Sequence, residues 1–267
     1  MNRRDLLLTS AGFIAATAAL PNLVQAAPTG KIVTLGKDLR GYYAAPNSRQ
    51  PAPAIMVLME AFGLNDNIKS VCDRLAQAGY AALAPDFYHG QVFAYKDIQL
   101  AIAKLKTLDD SVVMAEFGKG LDFLKNQKAV SQQGVGVTGF CMGGRYTFLA
   151  NSVHAAAVKA AVSFYGGGIA AQADVAGRQM LLDKVTKMQA PIMFMYGSED
   201  SYIMAEEHER ITAAMSKAKK RYAVNVFPGA GHGFMSDRRD SYNQPAAAEA
   251  WAMTLAFFDR HLAKKKA

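Results

Sequence analysis

The sequence contains only two cysteines, Cys72 and Cys141. In an oxidising compartment such a pair can form a disulfide. Cys72, however, lies in a helical pattern in which Ile68, Val71 and Leu75 share its face. Cys141 lies in a glycine-rich turn, so the two thiols are not expected to meet. We therefore predict no disulfide and assign Cys72 to the hydrophobic core.

Several other features are missing. No His/Cys/Asp cluster has the spacing of metal ligands, and no glycine-rich loop has the phosphate-binding pattern, so we predict no metal and no cofactor. The net charge of +8 is spread along the chain without interleaved aromatic residues, which argues against nucleic acid as a partner. Repeats, low-complexity segments and internal linkers are also absent. The 267 residues suit one large domain.

The N-terminus has the pattern of a targeting segment. Arg3 and Arg4 precede an apolar run from Leu6 to Val24, and Val24-Gln25-Ala26 resembles a signal-peptidase site. The paired arginines resemble a twin-arginine signal, whose partner is the twin-arginine export machinery. An uncleaved membrane anchor is the alternative, but the run is short and is broken by polar residues and a proline. We expect residues 1–26 to be removed, leaving domain 27–267 in the periplasm with no stable membrane span.

Apolar runs alternate with helical patterns along the rest of the chain. Pro53–Met59, Val158–Tyr165 and Pro191–Tyr196 have the composition of strands that are covered on both faces. Asp109–Lys125 and Ala205–Lys219 have helical periodicity. This alternation predicts an α/β fold with a mostly parallel central sheet and helices on both faces. Two short strands joined by residues 36–38 predict a leading hairpin, whereas residues 169–189 show no clear pattern.

Cys141 lies at the centre of the most informative stretch. Gly136–Thr138 is typical of a buried strand, and the residues from Gly144 onward suit a helix. Between them, Gly139–Gly143 reads G-x-C-x-G, a strand-to-helix turn so tight that small residues are needed two before and two after its centre. Such a turn raises the thiol above the sheet edge, over a helix N-terminus that favours the thiolate. The pentapeptide alone is equally compatible with a glycine-rich turn and a buried cysteine.

Two further groups follow the C-terminal ends of predicted strands, where open α/β sheets place their sites. In chain order Cys141, Asp200 and His232 have the sequence nucleophile, acid, base. Cys141 would attack an acyl carbon, His232 would act as base, and Asp200 would hold the imidazole in the required tautomer. Taken singly, Asp200 could be a helix N-cap and His232 a turn residue. Their order and placement favour catalysis.

The segments GFCMGG, GSEDSY, GAGHGF and MEAFGLNDNI resemble the dienelactone hydrolase (carboxymethylenebutenolidase) family of α/β-hydrolases, over about residues 31–262. The resemblance implies hydrolysis of cyclic enol-lactones by Cys141, His232 and Asp200. It also implies that Glu60 lies close to the nucleophile and helps to form the thiolate. The backbone N–H groups of Met142 and Ala61 would form the oxyanion hole, which general mechanism also expects.

The sequence departs from the family at two positions. Well-known members bind the substrate carboxylate with two arginines, and the matching positions here hold Gly90 and Ser236. The substrate is therefore expected to be a small-molecule ester or lactone on which charge matters less. The alternatives are a general carboxylesterase or thioesterase on the same site and a non-catalytic binding protein with this fold. Further expected substrate contacts are Tyr88, Tyr165, Phe234 and Arg238.

Overall fold

The structure is a computed structural model that describes residues 30–171 and 174–262. The predicted signal segment and its cleavage position lie outside these residues. Across the described part of the chain, no helix has both the length and the apolar character needed to cross a membrane.

One sheet of eight strands organises the described residues, in the order β1-β2-β4-β3-β5-β6-β7-β8. The first two strands form the predicted antiparallel hairpin, and β2 also pairs antiparallel with β4, whereas all other neighbours are parallel. The predicted mostly parallel sheet is therefore confirmed. The strands are β1 Lys31–Thr34, β2 Arg40–Ala44, β3 Ala52–Leu58, β4 Ala81–Pro85, β5 Val130–Phe140, β6 Val158–Phe164, β7 Ile192–Gly197 and β8 Tyr222–Phe227.

Helices cover both faces of the sheet. The helices are α1 Asp66–Gln77, α2 Ile98–Leu105, α3 Asp110–Lys125, α4 Met142–Val153, α5 Ala205–Lys217 and α6 Gln244–Leu262. Met56 on β3 packs against Gly120 of α3, whereas Gly136 on β5 packs against Phe258 of α6. Gly136 pairs with Ile55, the neighbour of Met56 along β3, and successive strand residues point to opposite faces. Helices α3 and α6 therefore lie on opposite faces.

Local signals in the sequence explain where α1 begins and ends. Asn65 caps the helix, because its side-chain oxygen accepts the backbone N–H of Ile68 at 3.1 Å. The helix ends at Gln77, shortly before Gly79, whose φ of +95° suits glycine. Cys72 is fully buried on α1 as a free thiol, which confirms its predicted place in the core.

The sequence showed no pattern for residues 169–189, and in the described part of this range the one regular element is a 3-10 helix, Leu182–Lys187. The part before it follows β6 and is tied back to the rest of the molecule. Ala170 donates its N–H to Glu207 Oε1 of α5 at 2.9 Å and accepts from Arg210 Nε at 2.7 Å. These long-range contacts hold the segment beside the C-terminal edge of the sheet.

Candidate active site

The turn at Cys141 joins β5 directly to α4. Cys141 has φ 55° and ψ −116°, a conformation that residues with a side chain rarely adopt. A Cβ atom on Gly139 would lie 2.1 Å from the Gly143 carbonyl oxygen, and one on Gly143 would lie 2.2 Å from the Leu58 carbonyl oxygen. These distances confirm the predicted need for small residues on both sides. The helix begins at Met142, two residues before the predicted start at Gly144, because the turn is a single residue long.

Asp200 and His232 form a hydrogen-bonded pair at the same edge of the sheet. Asp200 follows β7, His232 follows β8, and His232 Nδ1 lies 2.8 Å from Asp200 Oδ2. The other carboxylate oxygen, Oδ1, accepts the backbone N–H groups of Tyr202 at 2.9 Å and Ile203 at 3.2 Å. Asp200 is not the N-cap of α5, a position that Met204 occupies. Both oxygens are therefore fixed, and one of them orients the imidazole.

Cys141 and His232 shift each other's protonation. Burial raises the pKa of the Cys141 thiol, but the charge of His232 and a hydrogen bond from it outweigh that effect, and the pKa lies below its usual value. Burial lowers the pKa of His232, but the charge of Cys141 and the hydrogen bond to Asp200 reverse this and raise it to about 10. Both shifts favour a thiolate beside an imidazolium, which titrate as a coupled pair.

Glu60 is fully buried, two residues beyond the end of β3. Its Oε1 atom accepts from the Tyr95 hydroxyl at 2.6 Å, from Asn67 Nδ2 at 3.2 Å and from Asn65 Nδ2 at 3.3 Å. Its Oε2 atom makes no hydrogen bond and lies 3.7 Å from Arg239 Nη1. The negative charge of Glu60 acts on Cys141 by raising the thiol pKa, against the effect of His232.

Cys141 and His232 open onto a cavity of about 110 Å³. Ala61 and Met142, the two residues expected to supply oxyanion-hole N–H groups, line the same cavity. Most of the remaining wall is apolar, with a few polar exceptions. The apolar residues are Phe62, Ile98, Ile102, Leu105, Val175 and Ile203, and the charged ones are Asp174, Arg178 and Arg239.

Three aromatic residues that we expected to contact substrate do not line this cavity. Tyr88, Tyr165 and Phe234 are each at most 1% exposed. Tyr165 packs edge-on against the His232 ring with centroids 5.1 Å apart, and against Phe234 at 5.4 Å. The Tyr88 hydroxyl lies 3.7 Å from Met142 Sδ. These three buried rings belong to the core beneath the site. Tyr165 supports the His232 ring, and Tyr88 contacts Met142.

Arg238, the fourth expected contact, is also not at the cavity. Its side chain is 40% exposed, and Nη1 lies 3.9 Å from Asp66 Oδ2. The next residue, Arg239, takes that place: its guanidinium lies 5.5 Å from the ring centroid of Phe62 and 5.3 Å from that of Tyr95. Arg239, and not Arg238, therefore lines the cavity.

Some residues of the site were not predicted from the sequence. Tyr95 and Asn67 donate hydrogen bonds to Glu60, and the only sequence signal for Asn67 is its place in the MEAFGLNDNI segment. Tyr202 stands at the cavity, with its ring centroid 5.1 Å from that of His232. Arg178 comes from the segment without a recognisable pattern. Across residues 30–171 and 174–262, no group of three or more His, Cys, Asp or Glu side chains is placed to hold a metal ion.

The mostly parallel sheet, with a strand–turn–helix elbow after β5, defines an α/β-hydrolase. Comparison with known proteins gives the particular family. The model described as "Dienelactone hydrolase family" matches residues 39–262, and the chain belongs to that family. It is accordingly an enzyme that hydrolyses lactone or ester bonds.

Individual relatives agree with this assignment. The chain is 31% identical over 265 residues to a protein of Escherichia coli, covering 95% of this chain and 97% of the relative. It is 34% identical over 223 residues to one of Methylorubrum extorquens, covering 82% and 76%. Both are named "Putative carboxymethylenebutenolidase". A crystal structure titled "Putative Dienelactone Hydrolase", from Klebsiella pneumoniae, has a TM-score of 0.80 at 29% identity, covering 87% of this chain and 98% of that one.

Proposed function

We propose that the chain hydrolyses an ester or enol-lactone through a Cys141–His232–Asp200 triad and an acyl-thioester intermediate. The observation that carries this proposal is the 2.8 Å bond from His232 to Asp200, combined with the lowered pKa of the Cys141 thiol beside that imidazole. A thiolate is the reactive form of cysteine, and an imidazolium next to it is ready to protonate a leaving group.

In the first half of the reaction, Cys141 Sγ attacks the carbonyl carbon and forms a tetrahedral intermediate. The backbone N–H groups of Met142 and Ala61 stabilise the negative charge on its oxygen. As the intermediate collapses, the carbon–oxygen bond to the alcohol breaks. The His232 imidazolium gives its Nε2 proton to the departing oxygen, leaving a thioester and a neutral imidazole. A lactone stays attached as an opened chain, whereas an ester releases its alcohol.

In the second half, neutral His232 takes a proton from water. The resulting hydroxide attacks the thioester carbon, and the carbon–sulfur bond breaks to release the acid. Cys141 returns to thiolate and His232 to imidazolium, so that one water molecule is consumed for each bond hydrolysed. Asp200 keeps the imidazole in one orientation throughout, because its Oδ2 atom accepts from Nδ1 in both halves.

Glu60 has two possible roles in this scheme. It can accept the thiol proton as substrate binds, or it can repel a thiolate and keep part of the resting cysteine protonated. The second role is favoured by the contacts of its side chain, because three donors hold Oε1 and its charge already raises the thiol pKa. A protonated resting thiol would be protected from oxidation in a periplasm.

We propose that the substrate is uncharged, or that it is hydrolysed comparably well when an uncharged group replaces its carboxylate. Neither position 90 nor position 236 holds an arginine, and each arginine of the cavity faces a carboxylate. The names of the relatives point to carboxymethylenebutenolide lactones, which carry a carboxylate. A general carboxylesterase or thioesterase activity on the same site remains the second candidate, favoured by the mainly apolar cavity wall.

We also propose that the protein is exported in folded form by the twin-arginine route, with the signal removed near Ala26. Support comes from Arg3 and Arg4 ahead of the apolar run that ends at Val24. Export would place the enzyme among external esters and lactones.

The first test compares wild type with Cys141→Ala on a panel of esters and lactones. We expect Cys141→Ala to lose hydrolysis while keeping the fold, because the thiol sits at a turn. Cys72→Ala is the matched control: it should keep activity and lose about 1 kcal/mol of unfolding free energy, as a small truncation in the core. An inactive Cys72→Ala beside an active Cys141→Ala would show that the elbow assignment is wrong. Mass spectrometry after a thiol-directed acylating probe locates the label.

A further inference from the structure

Arg178 is a charged group of the cavity that the proposed reaction leaves unused. Its side chain is 11% exposed and contributes to the same wall as Cys141. Asp174 binds one edge of its guanidinium: Nε donates to Oδ2 at 2.8 Å and Nη2 donates to Oδ1 at 2.9 Å. The remaining nitrogen, Nη1, is buried and has no hydrogen-bond partner. Buried donors of this kind are rare in folded proteins and call for a functional explanation.

The guanidinium is held in a fixed position. Asp174 Oδ2 also accepts the backbone N–H groups of Ala176 at 3.0 Å and Arg178 at 3.1 Å, so the carboxylate cannot turn away. A Cβ atom on Gly168 would lie 2.3 Å from Asp174 Oδ1, so the Asp174 carboxylate packs directly on the backbone of Gly168. Because both groups are locked, the guanidinium is held in one orientation at the cavity wall, as a preorganised binding group must be.

The charges of the cavity favour an uncharged partner for this nitrogen. Asp174 neutralises Arg178, and Glu60 faces Arg239 with 3.7 Å between Oε2 and Nη1. The two arginines therefore contribute no net charge, and the wall between them is mainly apolar. A carboxylate would lose its hydration here without a free cation to replace it, whereas a carbonyl oxygen loses much less.

We infer that Arg178 is a specificity-determining residue whose Nη1 donates a hydrogen bond to an uncharged carbonyl oxygen of the substrate, remote from the bond that is hydrolysed. The inference rests on the proposed Cys141 chemistry and names its substrate class: esters or lactones with a second, uncharged carbonyl group, such as diesters. The apolar residues Ile98 and Ile102 of α2 would contact the hydrocarbon between the two carbonyls.

Three matched substrates test this inference: p-nitrophenyl hexanoate, methyl p-nitrophenyl adipate and p-nitrophenyl hydrogen adipate. They differ only at the far end of the acyl chain, which is apolar, an uncharged carbonyl or a carboxylate. For the wild type we expect kcat/KM for the diester to exceed that for the hexanoate by about tenfold or more, the effect of one hydrogen bond to a charged donor. A wild type without this preference overturns the inference.

Variants then assign the preference to Arg178. Arg178→Lys can keep the ion pair with Asp174 but cannot place a second donor at the Nη1 position, so the diester-to-hexanoate ratio should fall to near one. Arg260→Lys, at an exposed position on α6, is the matched control and should keep the wild-type ratio. Asp174→Asn removes the compensating charge, and the preference should move toward the hydrogen adipate. An unchanged ratio in Arg178→Lys would overturn the inference.

A binding measurement separates this inference from the proposed chemistry. Dimethyl adipate, titrated into Cys141→Ala, should bind about tenfold more weakly when Arg178→Lys is added; equal affinities would overturn the role of Arg178. If Cys141→Ala instead hydrolyses all three substrates like the wild type, the proposed nucleophile fails and the Arg178 ratios still stand on their own. Thermal denaturation of each variant shows that the comparison is made on folded protein.

Discussion

At the residue scale, the reactivity of the Cys141 thiol depends on the positive charge of His232. That charge lowers the thiol pKa, and the thiolate in turn raises the pKa of His232 to about 10. Alkylation of wild type by iodoacetamide should therefore reach half its maximal rate at a pH below the ordinary thiol value. His232→Ala removes the cation, so we expect this midpoint to move to higher pH. His261→Ala, on α6, should leave it in place.

In the proposed mechanism the same pair sets the alkaline limit of turnover. Protonated His232 would release the alcohol, and its pKa of about 10 keeps the proton in place through neutral pH. We expect kcat/KM to stay high up to moderately alkaline pH and to fall as the pH passes about 10. Because the two groups are coupled, the apparent value belongs to the pair. A decline centred near 6.5, the ordinary value for histidine, would contradict the ion pair.

Glu60 acts on the thiol in the opposite direction from His232. Removing its negative charge in Glu60→Gln should lower the thiol pKa, so the alkylation midpoint should move to lower pH. If Glu60 also accepts the thiol proton, turnover should fall by roughly ten- to ten-thousand-fold, the range for loss of a positioned proton-transfer group. Glu206→Gln, exposed on α5, is the control.

The two readouts for Glu60 distinguish its roles. A lower midpoint with turnover close to or above that of the wild type supports the charge-repulsion role, because removing the charge raises the thiolate fraction. Slower turnover indicates that Glu60 accepts the thiol proton. Near-wild-type turnover with an unchanged midpoint would show that Glu60 only orders its loop. Steady-state kinetics on a carboxylate substrate and its methyl ester should also show comparable turnover of the neutral member, and a strong preference for the acid would assign carboxylate binding to Arg239.

At the scale of elements, Arg145 joins the elbow helix to two neighbouring segments. It is fully buried on α4 and binds Asp110 of α3 through Nη1 at 2.7 Å and Nη2 at 2.8 Å. Its Nε donates to the Gly168 carbonyl at 3.2 Å, and Nη2 donates to the Gln179 carbonyl at 3.0 Å. One side chain thus fixes the start of α3 and both ends of the segment that carries Arg178.

Replacing Arg145 by methionine should therefore destabilise the protein. Loss of one partner of a buried ion pair costs about 3–5 kcal/mol, and the 34% exposure of the Asp110 side chain places this case at the lower end, at about 3 kcal/mol. The melting temperature should fall by roughly 6–12 °C for a chain of this size. The melting temperature of Arg145→Lys should lie between those of the wild type and Arg145→Met, and that of Arg260→Met should match the wild type. A shift of less than about 2 °C for Arg145→Met would show that the three segments are held by other contacts.

How far the sequence predicts this structure depends on whether a residue is placed by local signals. The strands and the elbow were predictable, because apolar runs such as Pro191–Tyr196 and the paired glycines around Cys141 carry their own conformational preferences. Arg178 was not, because its position depends on Glu207 and Arg145, distant residues that hold its segment. That Arg239 and not Arg238 lines the cavity could not be predicted for a related reason: a turn has no periodicity that tells which of two neighbours points inward.

At the scale of the whole molecule, the proposed export would place the Cys141 thiol in an oxidising compartment. A thiolate nucleophile is vulnerable to oxidation there, and two features would reduce that risk. Cys141 is only partly exposed, at the base of a small cavity, and the charge of Glu60 opposes ionisation of the resting thiol. The second cysteine, Cys72, is fully buried, and burial raises its pKa well above the usual value, so it does not compete as a reactive thiol.

We predict that the whole protein is exported. We expect mass spectrometry of the periplasmic fraction to find a chain that begins at Ala27, because Val24-Gln25-Ala26 presents small residues to the signal peptidase. Arg3→Lys combined with Arg4→Lys should hold the precursor inside, since the twin-arginine route depends on the arginine pair. A Lys264→Arg variant, which leaves the N-terminus intact, is the control. Normal export of the double variant would remove the twin-arginine route and leave a general signal peptide, whereas an unprocessed chain in the membrane fraction would establish the alternative of an uncleaved anchor.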